Sequence, residues 1–423
     1  MNRQPYKTPP CWWSPRLNPR WVSFWRPFRR LRGLWEQGLT SVELIGAHHL
    51  QDAREAGYGV LIAPNHPAHA DPYVMQDASD RLQIPFYFMA AWQVFAMTHW
   101  AGRTILRQHG CFSVNREGHD LSAFRESVRI LQSDRPLVIF PEGEVLHLND
   151  RVMPFRRGAA TAALRAARRS QRPVACLPTA IKYHYANDPR PRLLRLTQRL
   201  EQRLGLPFRP EMPLANRIVR TTEAVLQAKE LECFGRRQAG SNVERRERLM
   251  AELLSRLESC YSVATQATTI SERVKRVRRQ AIAVLEGSPA EHVREAAQRD
   301  LDDLFAVVQL FSYPADYLAG NPSVERLAET LDKLEEDVLE VRTARRRGIR
   351  RTTIAFGEPI LAQPHADRKS AAVDLTESLE LRVQALLDSI AQRPHATTES
   401  AIAPPAAPMM DEVEGWNAVP AAA

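Results

Sequence analysis

At 423 residues the chain is too long for one simple hydrophobic core, so one large elaborated domain, or two domains, is expected. A formal net charge of +9 and a pI near 9.5 point to an anionic partner: nucleic acid, a phospholipid surface or a phosphorylated substrate. The five cysteines, at 11, 111, 176, 233 and 260, are scattered and odd in number, which argues against a disulfide framework or zinc ribbon and suits a reducing compartment.

No signal peptide is expected in residues 1–40, because the start is polar and no apolar core of the required length follows. No segment is expected to span a membrane, since the richest apolar run, Phe86 to Met97, is about half the required length. Instead Trp12, Trp13, Trp21, Phe24, Trp25, Phe28 and Trp35 mix with Arg16, Arg20, Arg26, Arg29, Arg30 and Arg32. That mixture suits the headgroup zone of a bilayer. The alternative is an arm whose tryptophans pack on the domain.

From 41 to 187 the pattern alternates between strand and helix. Strands are expected at 42–46, 60–63, 84–90, 111–114, 136–140 and 174–178, with helices over 119–132 and 157–169. Such alternation predicts an α/β layer whose sites lie at strand ends. One strand end stands out, in GVLIAPNHPAHAD. If a helical turn opens before Asp71, its carboxylate can accept the imidazole N–H of His66 and leave the other ring nitrogen free to take a proton. A strand-end turn whose polar side chains cap a helix is the plainer alternative. His66, His69 and Asp71 are also metal-ligand types, but no further Cys or His cluster follows them, so no metal is expected.

Two more strand ends carry chemistry. GCFSVNR, 110–116, ends in an arginine able to fork onto carboxylate or phosphate oxygens, or to form a surface ion pair. FPEGE, 140–144, runs through proline and glycine in a turn that can bring backbone and Glu142 close to a ligand.

NHPAHAD, GCFSVNR, FPEGE with PFRRGA at 154–159, and LPTAI at 177–181, in that order, resemble the four motifs of the glycerolipid O-acyltransferase family that includes 1-acylglycerol-3-phosphate acyltransferases. The resemblance implies a mixed sheet flanked by helices, with His66 as catalytic base and Asp71 as its orienting partner. It also implies that Arg116, with Gly110 and Phe112 of the same motif, serves the acceptor's head group. Glu142 and Gly143 would shape the acceptor site, and Pro178 would belong to the motif lining the acyl site. The expected reaction is direct transfer from acyl-CoA or acyl carrier protein to a lysolipid acceptor, with neither metal nor cofactor. The partners would be those substrates and a membrane surface, not nucleic acid. The chain would sit peripherally on the cytoplasmic face. Ala68 and Glu144 depart from the usual hydroxyl residues of the first and third motifs, which leaves a less anionic lysolipid, a lipid alcohol or an amine open as acceptor. A catalytically inert protein on the same scaffold is the competing class.

Residues 188–348 are charged and helical in period, with breaks near Gly240, Gly287 and Gly320, and are expected to be a helical insertion. RRTTIAFGEPI, 350–360, then reads as a last strand and 369–393 as a helix, so that 349–393 would complete the core. The arginines from 345 to 351 would hold anionic lipid or coenzyme A phosphates, or form a solvated turn. Residues 394–423 are rich in Ala and Pro and read as a disordered tail.

Overall fold

The computed structural model describes residues 10–118, 120–169, 172–263, 269–314, 316–341, 343–363 and 367–393. The tail at 394–423 lies outside them, as do the side chains of Arg32 and Trp35.

The chain is a mixed α/β protein built on one eight-stranded sheet. Its strands are β1 (Leu39–Ile45), β2 (Gly59–Pro64), β3 (Tyr87–Ala91), β4 (Cys111–Val114), β5 (Leu137–Val138), β6 (Val174–Tyr185), β7 (Arg350–Phe356) and β8 (Ile360–Leu361). The helices packed along the first part of the chain are α1 (Pro19–Gln37), α2 (Ala47–Glu55), α3 (Asp71–Leu82), α4 (Trp92–Ala96), α5 (Trp100–Gln108), α6 (Leu121–Leu131) and α7 (Gly158–Arg169). A helical region follows: α8 (Arg190–Arg203), α9 (Leu214–Phe234), α10 (Asn242–Cys260), α11 (Ile270–Glu286), α12 (Glu291–Phe311) and α13 (Val324–Val338). The last helix, α14 (Arg368–Gln392), returns to the sheet and packs on β6.

The strand order is β1-β7-β6-β2-β5-β3-β4, with β8 also on β6. β7 is parallel to β1 and antiparallel to β6, whereas β6, β2, β5, β3 and β4 run parallel. A strand that follows the helical region in sequence therefore sits between two that precede it. β2 is buried at every position, as a strand covered on both faces must be. Leu61 and Ala63 enter one apolar layer with α6, α7 and α14, and Val60 and Ile62 enter the opposite layer with α2 and α3.

Several strand boundaries differ from the alternation in the sequence, β1 for example starting at Leu39, and three of them bear on the site. β3 begins at Tyr87 rather than 84, where pairing with β5 becomes available. β5 is only two residues long, because Phe140 and Pro141 turn away and the Phe140 carbonyl accepts the Gly143 N–H at 3.1 Å. β6 does not stop at Pro178 but runs to Tyr185. Proline removes a ladder donor, and here the β7 ladder starts only after it, at Thr179.

The helical region has apolar cores of its own, one among α9 to α12 and one among α8, α9 and α13. It is tied to the sheet through Asp150, which pairs with Lys182 of β6 and, at 2.6 Å, with Arg326 of α13. The arginine run is divided in role: Arg347 is buried and pairs with Asp332 at 3.0 Å and with Glu335, and Arg350 lies 4.7 Å over the Tyr183 ring. Arg347 thus ties the approach to β7 to α13, Arg350 packs across β7 and β6, and neither lies in a solvated turn.

Candidate active site

β2 ends at Pro64, and the next residues must satisfy their backbone without a strand. Asn65 does this for the loop: its side chain accepts the Ile181 N–H at 2.7 Å and donates to the Ile181 carbonyl at 3.0 Å. Asn149 repeats the pattern on Tyr183, at 2.7 and 2.8 Å. The two amides thus continue the ladder where β6 outruns β2, Asn65 holding the loop that carries His66 and Asn149 the loop after β5 against the same strand.

Asp71 opens α3, where a carboxylate is favoured by the helix dipole. His66 Nδ1 donates to Asp71 Oδ2 at 2.6 Å, and that same oxygen accepts the Ala68 N–H at 3.0 Å. Asp71 Oδ1 accepts the Tyr183 hydroxyl at 2.6 Å. Asp71 is fully buried and His66 is not. The imidazole stacks on Phe140 with ring centroids 4.1 Å apart, so its plane is set from two sides. Nε2 is left as the nitrogen that can exchange a proton.

His66 lines a cavity of about 1340 Å³, above the ordinary ligand-pocket range of roughly 300–1,000 Å³. Arg116 and Gly143 line the same cavity. Arg116 Nη1 donates to the Gly143 carbonyl at 2.6 Å, and Gly143 has φ +79, with Arg156 so near that a Cβ would lie 2.6 Å from its Nε. Only glycine fits that turn.

Four of the residues expected to bind substrate are elsewhere. Gly110 (φ +81) lies under the Phe86 carbonyl, and Phe112 is buried edge-on to Trp12. Both build the start of β4, and neither lines the cavity. Pro178 is buried in β6, where its carbonyl accepts the Gly357 N–H at 2.8 Å. Glu142 also faces away from the large cavity and accepts the His66 backbone N–H at 3.1 Å. Burial is the main cause that pushes its carboxyl up to about 8. It therefore supports the loop from beneath as a neutral acid at moderate pH.

Glu144 does face the cavity. Burial would raise its carboxyl, but Arg278, Arg116 and Arg156 outweigh that and hold it below the ordinary value. Arg156 approaches it at 3.4 Å and Arg278 at 3.6 Å, while Arg278 also pairs with Glu117 at 3.1 Å. Arg278 and Lys275 come from α11, so the helical region supplies part of the cavity wall. Sequence patterning did not reach Tyr183 or Arg278, because period shows that β6 and α11 exist and not which side chains meet across them.

Apolar side chains make up most of the remaining lining, among them Trp25, Phe28, Phe88, Trp92, Phe124 and Phe305. Phe24, Phe28, Leu31, Trp100, Met97 and Leu121 are exposed, and Phe28 and Leu121 are also cavity-lining. No helix among the described residues is long and apolar enough to cross a membrane. Residues 42–182 match the model of the acyltransferase family. No curated protein matches the chain.

Proposed function

We propose, from the match of residues 42–182 to the acyltransferase-family model, that the chain transfers a fatty acyl group from acyl-CoA or acyl carrier protein to the hydroxyl of a lysophospholipid or related glycerolipid at a membrane surface. The observation carrying this reading is the 2.6 Å His66–Asp71 hydrogen bond at the wall of a cavity that Arg116 shares.

The acceptor oxygen attacks the thioester carbonyl while His66 Nε2 takes its proton, which contributes roughly 10²- to 10⁴-fold. Asp71 stabilises the imidazolium that forms. The tetrahedral intermediate then expels the thiolate, which recovers the proton from His66. No acyl-enzyme is needed. Burial pushes the Cys111 and Cys176 thiols up to about 12, which makes both poor nucleophiles.

Arg116, Arg156, Lys275 and Arg278 gather with Glu117 and Glu144 on one part of the cavity wall, a local cluster with two more cations than carboxylates, although the lining as a whole is close to charge-balanced. That excess suits a phosphate-bearing acceptor. Glu144, already neutralising part of the cluster, favours a second reading in which the acceptor is a lipid alcohol or amine without phosphate. The exposed aromatic and aliphatic side chains beside the cavity suit a protein that meets its substrate at a bilayer.

The test is to incubate purified protein with labelled acyl-CoA or acyl carrier protein and a panel of lysolipids and lipid amines, with His66→Ala alongside. The expected result is one mass-identified acylated product, formed by wild type and lost in the variant. Undiminished product with His66→Ala, or an acyl group trapped on a side chain during turnover, overturns the mechanism. Lipid binding without turnover in wild type would mark an inert scaffold.

A further inference from the structure

Three side chains outside the proton-transfer pair converge on one point. His69 lies in the loop between β2 and α3, His147 in the loop between β5 and α7, and Glu336 on α13. One ligand atom from each lies within 4.8 Å of the other two. His69 Nε2 is 3.8 Å from Glu336 Oε1, and His147 Nε2 is 3.5 Å from Glu336 Oε2. The two imidazoles meet edge to face with centroids 5.4 Å apart.

Both Nε2 atoms are shielded from solvent, and among the described residues neither has a partner within hydrogen-bond geometry. Buried polar atoms are normally satisfied, so two orphaned imidazole nitrogens aimed at one carboxylate call for an explanation. His147 is more than nine-tenths buried and sits at φ 51, where a side chain is disfavoured. The carboxylate is itself anchored, because Glu336 Oε1 also accepts the Ala344 N–H at 3.0 Å. Such a hydrogen bond is the kind of support that metal-ligating carboxylates have.

We propose that His69, His147 and Glu336 form a binding site for a divalent transition metal, zinc by preference, joining the helical region to the loop that carries His66. Two imidazoles and one carboxylate are a recurrent zinc ligand set, completed by a water in the fourth position. Ligand bonds of about 2.0–2.2 Å place tetrahedral ligand atoms roughly 3.3–3.6 Å apart, so the site reaches coordination distance with small side-chain adjustments. His69 borders the large cavity, from which the fourth ligand can enter. The set His66, His69 and Asp71 is a poorer candidate, since both Asp71 oxygens and His66 Nδ1 are already engaged. The site makes no use of the acyl-transfer reading and stands or falls separately.

Full-length protein is stripped with a chelator, dialysed, and titrated with zinc and with cobalt(II). The expected result is one zinc per chain, an intense tetrahedral cobalt spectrum displaced by zinc, and a higher melting temperature with metal. His147→Ala and Glu336→Gln should each weaken zinc binding by about a hundredfold or more, while His66→Ala should leave it unchanged. Should those two variants fail to fold, the wild-type cobalt spectrum and X-ray absorption at the zinc edge decide, with two imidazoles and one carboxylate expected. No stoichiometric binding, an octahedral cobalt spectrum, binding retained in folded His147→Ala and Glu336→Gln, or binding lost in His66→Ala overturns the proposal.

Discussion

Replacing Asp71 by Asn removes one charge from the site and almost nothing else. Asp71 Oδ2 accepts from two N–H groups, of His66 and Ala68, whereas Oδ1 faces a hydroxyl, that of Tyr183. The asparagine amide must therefore direct its oxygen to His66 and Ala68 and its NH₂ to Tyr183, whose hydroxyl can rotate to accept. The His66 tautomer and ring position survive, and only the charge that stabilises the imidazolium is lost. Charges about 4 Å apart in a partly wet cleft interact by about 4 kcal/mol, equivalent to about 10³-fold in kcat. A wrong tautomer would cost more, about 10⁴-fold by analogy with serine hydrolases. Initial rates of product formation at saturating acceptor measure the effect, with KM nearly unchanged and far-UV circular dichroism confirming the fold. A folded Asp71→Asn enzyme within tenfold of wild type would refute the assignment of Asp71 as the stabilising partner.

Three other outcomes follow from the geometry. Glu142 has a folded-state pKa of about 8 against an ordinary 4.5, so it is neutral in both states below 4.5, and stability drains as pH rises towards 8 while the unfolded chain ionises, a loss on the order of 5 kcal/mol. The melting-temperature gain of Glu142→Gln over wild type should thus grow from pH 5 to pH 9, and a gain independent of pH would contradict the burial argument. Arg278→Gln leaves Glu117 and Glu144 facing one cation fewer, and should raise the KM for a phosphate-bearing acceptor about tenfold or more, equivalent to about 1.4 kcal/mol. Equal KM values for wild type and variant would remove α11 from substrate recognition. Replacing Phe24, Phe28 and Trp100 together by Ser should weaken co-sedimentation with anionic vesicles by about 10²-fold or more, given roughly 1.5–3 kcal/mol for each fully buried apolar side chain. Unchanged sedimentation would move the membrane contact to another face.

Much of the core was legible in the amino-acid order. The apolar run of β2 ending at Pro64 puts His66 at a strand exit, and five residues later Asp71 starts a helix, a local arrangement that short-range geometry alone can close. The fourth strand, 111–114, is bounded where its alternation says, and the breaks near Gly240, Gly287 and Gly320 separate helices as composition indicates. Gly143 was readable for a similar reason, since its conformation is set within its own turn.

What the linear order did not contain are contacts made across strands and between distant segments. Motif membership placed Gly110, Phe112, Glu142 and Pro178 with substrate, but Phe112 and Pro178 are buried within strands, and Gly110 and Glu142 sit in turns packed against backbone. Tyr183 reaches Asp71 only because β6 runs on past Pro178, and Arg278 reaches Glu144 only because α11 folds back over the cavity. His147 and Glu336 meet His69 for the same reason: nearly 200 positions separate the two, and no periodicity reports such a meeting. The sequence alone determined that His66 and Asp71 fall together at a strand exit and that an alternating core surrounds them, since those depend on neighbours within a few residues. Which charges neutralise Glu144, what holds Asp71 from behind, and where two buried imidazoles converge were decided by tertiary packing, which brings together groups that have no local means of finding each other.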